Sequence, residues 1–250
     1  MTIENEDDLA RLKAVGSVVA RTLQAMGAAL EAGTTSAELD AFGRKMLELE
    51  GCVSAPESSY GFPGATCISI FPAIAHGIPG EQRFQPGDLV NIDVSAVRGG
   101  IFADTGGSFI VPGKSRPQLE KLCRDGRRAL WEGIRTVKAG RKLNEIGRAV
   151  QTFADRNGYT IIRNLASHGT GTALHEHPTE IATWDEPSER RRITNGMVFT
   201  IEPFLSLGSE WAMDGSDEWT LTAMGGRPTV QYEHTLVATP RGAVIVTQAN

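Results

Sequence analysis

Cysteines, long apolar runs and an excess of positive charge are all lacking in this 250-residue chain, and each shortage excludes a class of protein. Its three cysteines, Cys52, Cys67 and Cys123, are too few and too widely spaced for a disulfide framework or a zinc cluster, which predicts a reducing, cytoplasmic location. No apolar run approaches the roughly 18–20 residues that a membrane span needs. A net charge of −5 argues against nucleic acid as a partner. The acidic residues 1–8 do not resemble a secretory signal.

What is present is an ordinary globular composition, with 40% hydrophobic and 22% charged residues, enough to build a large core. Apolar residues follow a period of about 3.6 residues in four segments, which we predict to be helices. These segments are 7–32, 36–50, 117–138 and 142–156. The two pairs repeat with an offset of 107 residues, which places Ala32-Gly33 on Ala139-Gly140. We therefore predict one domain over 1–250, built from pseudo-repeats of about 7–115 and 116–250, with chance similarity of two amphipathic helix pairs as the alternative.

Strand-like runs follow each helix pair. Three lie in the first half and five in the second: 66–71, 88–97 and 101–111, then 159–165, 178–184, 196–206, 217–224 and 229–247. The turn Arg98-Gly99-Gly100 predicts a hairpin between the second and third runs. Polar and apolar side chains alternate in residues 89–95, so one sheet face can pack against helices while the other lines a site. These elements predict an α+β fold.

Four carboxylates and one histidine are the most informative residues of the chain: Asp93, Asp104, His168, Glu202 and Glu233. Three of the carboxylates, those of Asp93, Glu202 and Glu233, interrupt apolar runs that contain no lysine or arginine. Burying a carboxylate costs several kcal/mol unless another charge compensates it. Two divalent cations would cancel the formal charge of −4 that the four acids carry. The pattern therefore predicts a centre with two metal ions.

Asp93 and Asp104 are separated by 11 residues across the predicted hairpin, so their carboxylates can face each other on adjacent antiparallel strands. Two surface aspartates flanking a turn are the alternative for that pair alone. His168 stands in a glycine-bracketed segment, 167–171, that we expect to be flexible, and a histidine there more often only makes hydrogen bonds. All five histidines, however, lie outside the predicted helices. This clustering favours a catalytic site.

Seven short motifs occur along the chain: His76-Gly77-Ile78-Pro79, Asn91-Ile92-Asp93-Val94, Asp104-Thr105, His168-Gly169, His175-Glu176, Phe199-Thr200-Ile201-Glu202-Pro203 and Gln231-Tyr232-Glu233-His234-Thr235. Their order and spacing resemble those of the type I methionine aminopeptidases, a branch of the pita-bread metallopeptidases. The resemblance extends over nearly the whole length of the chain. The resemblance implies the pita-bread fold, in which duplicated helix pairs related by a pseudo-two-fold axis pack on a curved, mainly antiparallel sheet.

The resemblance also implies a ligand set for two divalent metal ions. Asp104 and Glu233 would bridge both ions. His168 and Glu202 would complete the shell of the first ion, and Asp93 would chelate the second. Oxygen-rich ligation with one imidazole suits cobalt, manganese, iron or zinc. Together the ions would activate a water for attack on the scissile carbonyl.

Three residues would take part in the reaction by this resemblance. Glu202 would accept and relay a proton. His175 would polarise the substrate carbonyl and stabilise the developing oxyanion, and His76 would contact the scissile nitrogen. Because the free α-amino group of the substrate would bind the second metal, only N-terminal residues would be removed.

A pocket for the methionine side chain is implied as well, and half of its predicted members depart from the family. The six are Pro56, Ser59, Phe62, Cys67, Leu174 and Trp219. Pro56, Ser59 and Leu174 replace a cysteine, a tyrosine and a phenylalanine, so we expect a less aromatic and roomier pocket. Ser69-Ile70-Phe71-Pro72 replaces the family's Ser-Ile-Asn-Glu, which leaves open whether a monovalent cation binds at that loop.

The predicted function is removal of N-terminal methionine from peptides and nascent proteins whose second residue is small. We expect a cytoplasmic monomer that works near the ribosome and binds neither nucleic acid nor membrane. One alternative keeps the fold and cuts before proline, as X-Pro aminopeptidases and dipeptidases do, although those relatives usually carry an extra N-terminal domain and extra histidines. A second alternative is a non-catalytic pita-bread protein that binds ribosomes or nucleic acid. The five intact ligands and the net charge of −5 argue against it.

Overall fold

The computed structural model describes residues 1–248, and its five helices include the four that the sequence predicts. They are α1 (Glu6–Ala28), α2 (Ser36–Leu49), α3 (Ala55–Tyr60), α4 (Pro117–Thr136) and α5 (Asn144–Asn157). A capping box starts α2, in which Thr35 and Glu38 each accept a hydrogen bond from the backbone amide of the other. Within the described residues, no helix is both long enough and apolar enough to cross a membrane.

Sequence patterns do not predict α3, because six residues are too few for a helical period to show. The side chain of Ser54 caps its start by accepting a hydrogen bond from the amide of Glu57. Gly61 ends it in the left-handed conformation, at φ 70°. Arg44 of α2 donates two hydrogen bonds to the carboxylate of Glu57, at 2.7 and 3.1 Å. These contacts fix α3 beside α2.

Fifteen strands form four sheets in the described chain. They are β1 (Val53–Ser54), β2 (Cys67–Ile70), β3 (Ala73–Ala75), β4 (Leu89–Arg98), β5 (Ile101–Ile110), β6 (Thr160–Ile161), β7 (Ser167–Gly169), β8 (Glu176–Ile181), β9 (Val198–Ile201), β10 (Phe204–Ser206), β11 (Ala212–Asp214), β12 (Leu221–Ala223), β13 (Thr229–Gln231), β14 (His234–Thr239) and β15 (Gly242–Ile245). The strand orders are β1-β4-β2 with β5 against β4, β13-β10-β6, β11-β12-β3 and β15-β14-β9-β7-β8. All these pairings are antiparallel, in agreement with the mainly antiparallel sheet that the resemblance implies.

The predicted hairpin is present, since β4 and β5 pair over their full lengths and turn at Gly99 and Gly100. Both glycines have positive φ, 57° and 75°, as a tight two-residue turn requires. Val90 and Ile92 belong to the core that α1 covers. The alternate residues of β4, among them Asp93, point to the other side of the sheet. One face is thus free to line a site.

The second helix pair covers the second half in the same way. Leu130 and Ile134 of α4 and Ile146 of α5 belong to one buried cluster. Phe199 of β9 and Leu236 of β14 are part of that cluster too. This core holds the strands from which the later site residues project.

The two halves join where the chain between β13 and β14 runs beside β5. The amide of Glu233 donates to the carbonyl of Gly106 at 3.0 Å. The hydroxyl of Thr105 donates to the carbonyl of Glu233 at 2.8 Å. Gly106 is required at this approach, because a Cβ there would lie 2.3 Å from Oε1 of Gln231. Side chains from both halves therefore share one interior.

Candidate metal centre

The five predicted ligands come from both halves and converge on one interior site. Asp93 lies on β4, Asp104 on β5 and His168 on β7. Glu202 directly follows β9, and Glu233 stands between β13 and β14. In the register of the hairpin, Asp93 and Asp104 are diagonal neighbours on the same sheet face.

The prediction that His168 lies in a flexible segment is wrong. This residue sits in β7, with 3% of its surface exposed. The glycine after it serves close packing, because Gly169 pairs with both Glu176 and Phe199. A Cβ on Gly169 would lie 2.6 Å from the carbonyl oxygen of His177. A paired strand therefore holds the imidazole in the site.

Three of the five side chains lie within reach of a single ion. One ligand atom each of Asp104, His168 and Glu233 lies within 4.8 Å of the other two. Nε2 of His168 is 3.8 Å from Oδ2 of Asp104 and 3.4 Å from Oε1 of Glu202. Asp93 lines the same cavity as Asp104 and Glu202. The structure thus brings all five side chains together.

The carboxylates of this site are buried without a compensating partner. Oδ1 of Asp93, Oδ1 of Asp104 and Oε1 of Glu233 have no hydrogen-bond partner within residues 1–248. No lysine or arginine of that range forms an ion pair with any of the four acids. Burial raises the pKa of Asp93, Glu202 and Glu233 well above their ordinary values. The negative charge of Asp104 raises all three further. The four buried carboxylates can all be negatively charged only if cations lie beside them. The donor atoms of this cluster therefore fit divalent metal ions.

The hydrogen bonding of His168 leaves the lone pair of its Nε2 available for a metal ion. Its Nδ1 is 3.0 Å from the carbonyl oxygen of Gly169, and since a carbonyl can only accept, Nδ1 carries the proton and Nε2 a lone pair. Burial, together with the nearby His175, lowers the pKa of His168 to about 4, which keeps the imidazole neutral as ligation requires. The lone pair on Nε2 faces the carboxylates of Asp104 and Glu202, which repel it. A cation bound between these groups would remove the repulsion.

A cavity of about 220 Å³ borders these ligands and contains most of the predicted methionine pocket. Five of the six predicted pocket residues form part of its wall: Pro56, Phe62, Cys67, Leu174 and Trp219. The rings of Phe62 and Trp219 pack edge to face, with centroids 5.3 Å apart. The cavity thus combines an apolar wall with the acidic cluster.

The sixth predicted pocket residue, Ser59, is exposed and lies outside this lining. Its successor Tyr60 borders the cavity instead, because one step along a helix turns a side chain by about 100°. Sequence reasoning missed Tyr60, and it placed Ser95 on the same face of β4 as Asp93 without including it among the site residues. The alternation of β4 could have identified Ser95 as a site residue, whereas no pattern in so short a helix indicates Tyr60.

His76 and His175 line the same cavity without joining the ligand cluster. His76 has a φ of 51° and is the one non-glycine residue with positive φ in the described chain. Such backbone strain commonly marks a functional position. The rings of His175 and His168 have centroids 3.9 Å apart, and Nδ1 of His175 lies 2.7 Å from the hydroxyl oxygen of Tyr60. Both imidazoles border the space that a substrate would fill.

The sequence model of metallopeptidase family M24 matches residues 10–240. The chain belongs to this family. The M24 chain is 40% identical over 249 residues to methionine aminopeptidase 2 of Bacillus subtilis (strain 168), covering 99% of this chain and 100% of that protein. It is 34% identical over 249 residues to the methionine aminopeptidase of Escherichia coli (strain K12), covering 99% and 94% of the two chains.

A crystal structure of methionine aminopeptidase from Thermotoga maritima superposes on the M24 chain with a TM-score of 0.94 at 29% identity. The superposition covers 99% of this chain and 100% of that one. It confirms the pita-bread fold that the sequence motifs imply. The M24 chain is a metallopeptidase, and the buried cluster of Asp104, His168 and Glu233 is its candidate site for divalent metal.

Proposed function

We propose that this chain removes N-terminal methionine from peptides and nascent proteins whose second residue is small. The observation that carries the proposal is the buried cluster of Asp104, His168 and Glu233, whose ligand atoms lie within 4.8 Å of one another beside an apolar cavity. Relatives at 40% and 34% identity over nearly the whole chain are named methionine aminopeptidases.

Two divalent ions are the proposed cofactor, drawn from manganese, iron, cobalt and zinc, since these metals suit oxygen-rich ligation with one imidazole. Asp104 and Glu233 would bridge them. His168 and Glu202 would serve one ion and Asp93 the other. When bound, the ions would supply the Lewis acidity that activates water and polarises a carbonyl, and an anchor for the free α-amino group of the substrate.

Glu202 is the proposed general base. The hydroxyl of Thr200 donates to its Oε1 at 2.8 Å, and its own amide donates to the hydroxyl oxygen of Ser167 at 2.9 Å. These hydrogen bonds hold the carboxylate at the end of β9, next to Nε2 of His168. From there Glu202 would accept a proton from the attacking water and return it to the leaving amine.

Two imidazoles would contact the peptide group of the substrate. His175 would donate to the carbonyl oxygen as that atom gains negative charge, and His76 would contact the scissile nitrogen. Both are exposed at the cavity, unlike the buried ligand His168, which supports their assignment as substrate contacts. Phe62 and Trp219 would hold the methionine side chain.

We also propose a cytoplasmic monomer that acts near the ribosome on emerging chain ends. Its three cysteines are free and buried, as is usual in a reducing compartment. The matching helix pairs α1/α2 and α4/α5 support a single domain over 1–250 with pseudo-repeats of about 7–115 and 116–250.

Binding of a monovalent cation at residues 69–72 stays an open question. Comparing the activity in potassium-free and potassium-containing buffers tests it.

A peptide panel measured with manganese, iron, cobalt and zinc tests the activity. Metal-loaded protein should release methionine from Met-Ala-Ser and leave Ala-Pro peptides intact. The Asp104→Asn variant, purified in parallel, controls for a contaminating peptidase. Cleavage of Ala-Pro peptides alone would favour the X-Pro alternative. If protein that retains its metals cleaves no peptide with a free amino group, the non-catalytic alternative is favoured.

A further inference from the structure

A hydrogen bond links Tyr60 to His175 at the cavity. The phenolic oxygen of Tyr60 lies 2.7 Å from Nδ1 of His175, and the two ring centroids are 5.6 Å apart at an interplanar angle of 46°. Tyr60 is the last residue of α3, in the first half of the chain. His175 immediately precedes β8, in the second half. The contact therefore joins the two halves at His175, the residue that we propose to stabilise the oxyanion.

The direction of this hydrogen bond follows from the groups themselves. A phenol near neutral pH keeps its proton, and burial raises the pKa of Tyr60 further. The hydroxyl of Tyr60 can therefore donate to Nδ1 of His175. A neutral imidazole carries one proton, so when Nδ1 accepts, the proton sits on Nε2. An N–H on Nε2 is what a developing oxyanion needs, whereas the other tautomer would present a lone pair and repel it.

The backbone around Tyr60 is built to hold this geometry. Ser54 caps the start of α3, and Gly61 ends the helix at φ 70° directly after Tyr60. The paired hydrogen bonds from Arg44 to Glu57 tie α3 to α2. The phenol thus approaches His175 from a fixed helix. Without such a partner, an exposed imidazole would be free to rotate about its side-chain bonds.

We propose that Tyr60 is a positioning residue for the reaction: its hydroxyl donates to Nδ1 of His175, orients the ring, and keeps the proton on Nε2 for the substrate carbonyl. This role rests on the proposed aminopeptidase function. It concerns the tautomer and orientation of His175 and not the binding of metal.

The Tyr60→Phe variant tests the role, because it keeps the ring that borders the cavity and removes only the hydroxyl. We expect kcat for Met-Ala-Ser to fall about tenfold, the kinetic equivalent of one ordinary hydrogen bond, with KM changed less than about twofold. Metal content should equal that of the wild type. An unchanged kcat, or a loss confined to KM, would overturn the proposal.

A double-mutant cycle separates positioning from an independent effect. In a His175→Ala background the hydroxyl has nothing left to orient, so adding Tyr60→Phe should change kcat by less than about twofold. A second tenfold loss in that background would show that Tyr60 acts without His175 and would overturn its assignment. Tyr159→Phe is the matched control, because its hydroxyl bonds Asp125 and its side chain is outside the cavity lining. Its kcat should equal that of the wild type.

The tautomer itself can be measured on unmutated protein loaded with zinc, which is diamagnetic. The ¹⁵N chemical shifts of His175 should place the proton on Nε2. A proton on Nδ1 would overturn the proposal even if Tyr60→Phe failed to fold. If the wild type cleaves no methionyl peptide, the aminopeptidase function fails. If the wild type is active and Tyr60→Phe matches it, only the role of Tyr60 fails.

Discussion

Asp104 and Thr235 exchange two hydrogen bonds. The amide of Asp104 donates to Oγ1 of Thr235 at 2.9 Å, and that hydroxyl donates back to the carbonyl of Asp104 at 2.7 Å. Both residues are buried, and they belong to strands of different halves, β5 and β14. The backbone that carries one proposed bridging ligand is therefore held in place by the strand that follows the other, Glu233.

Thr235→Val should weaken metal binding, because it keeps the shape of the side chain and leaves the buried amide and carbonyl of Asp104 without their partner. Groups that orient ligands in this way typically contribute about 10–100-fold to metal affinity. Titration with Mn²⁺ followed by calorimetry measures the loss. Thr235→Ser restores the hydroxyl and should recover most of the affinity. Equal affinities for the valine variant and the wild type would contradict the expectation.

Asp104→Asn should abolish hydrolysis and lower the metal content, since an amide is a poor substitute for a bridging carboxylate. Elemental analysis and the Met-Ala-Ser assay measure the two effects on one preparation. Asp7→Asn is the matched control, because Asp7 is an exposed residue in the first turn of α1. It should retain both metal and activity. Full activity with unaltered metal stoichiometry in Asp104→Asn would refute the ligand assignment.

Removing the metal should lower the thermal stability of the protein, because binding to the folded state alone adds RT ln(1 + [L]/Kd). At a hundredfold excess over Kd this is about 2.7 kcal/mol, or roughly 5–10 °C in Tm for a chain of this length. Calorimetry with EDTA and with added Mn²⁺ measures the difference. His175→Ala should keep the full shift, since His175 is not a proposed ligand. A shift lost in that variant would mean that His175 binds the metal.

Trp219→Ala should reduce kcat/KM for Met-Ala-Ser by about 10–100-fold, because the ring that packs on Phe62 is an apolar wall of the cavity. Substrates that begin with norleucine should lose as much as those that begin with methionine. Trp211→Ala is the control, since Trp211 is 49% exposed and lies outside the lining. Similar losses in both variants would point to a general effect on folding.

Asp125→Asn should destabilise the protein at neutral pH by about 2 kcal/mol. Burial alone would raise the pKa of Asp125, but hydrogen bonds from Lys121, Tyr159 and Arg128 outweigh burial and lower it. A lowered folded-state pKa gives stability that is present above about pH 4 and is lost as the pH falls through the folded value. Urea unfolding at several pH values should therefore show the two proteins converging in acid. The exposed Asp155→Asn should match the wild type throughout.

The sequence predicts the parts of this fold that depend on local periodicity. The helices α1, α2, α4 and α5 repeat apolar residues often enough to reveal their period, and the turn at Gly99-Gly100 reveals its hairpin. Short elements carry no such signal. Pairing with β8 and β9 defines β7, and the contact with β9 joins residues far apart in the sequence, Gly169 and Phe199. This is why His168 was expected in a flexible segment.

The site was more predictable than the pocket around it. Acids in apolar runs need compensation wherever they lie, so Asp93, Glu202 and Glu233 could be recognised without knowledge of their neighbours. Which side chain faces a cavity depends instead on the phase of the element that carries it. The six-residue helix α3 presents Tyr60 where the sequence suggested Ser59, and its capping residues and the contact of Glu57 with Arg44 fix that phase.

The seam between β5 and the chain around Glu233 has a consequence for biosynthesis. The earliest proposed ligand is Asp93 and the last is Glu233, so the full proposed ligand set exists only after most of the polypeptide has been synthesised. A truncated product that stops before β13 would lack one of the two proposed bridging carboxylates and the strand whose Thr235 holds the backbone of the other. We therefore expect such truncated products to be inactive, and peptidase activity to appear only once the chain extends through β14.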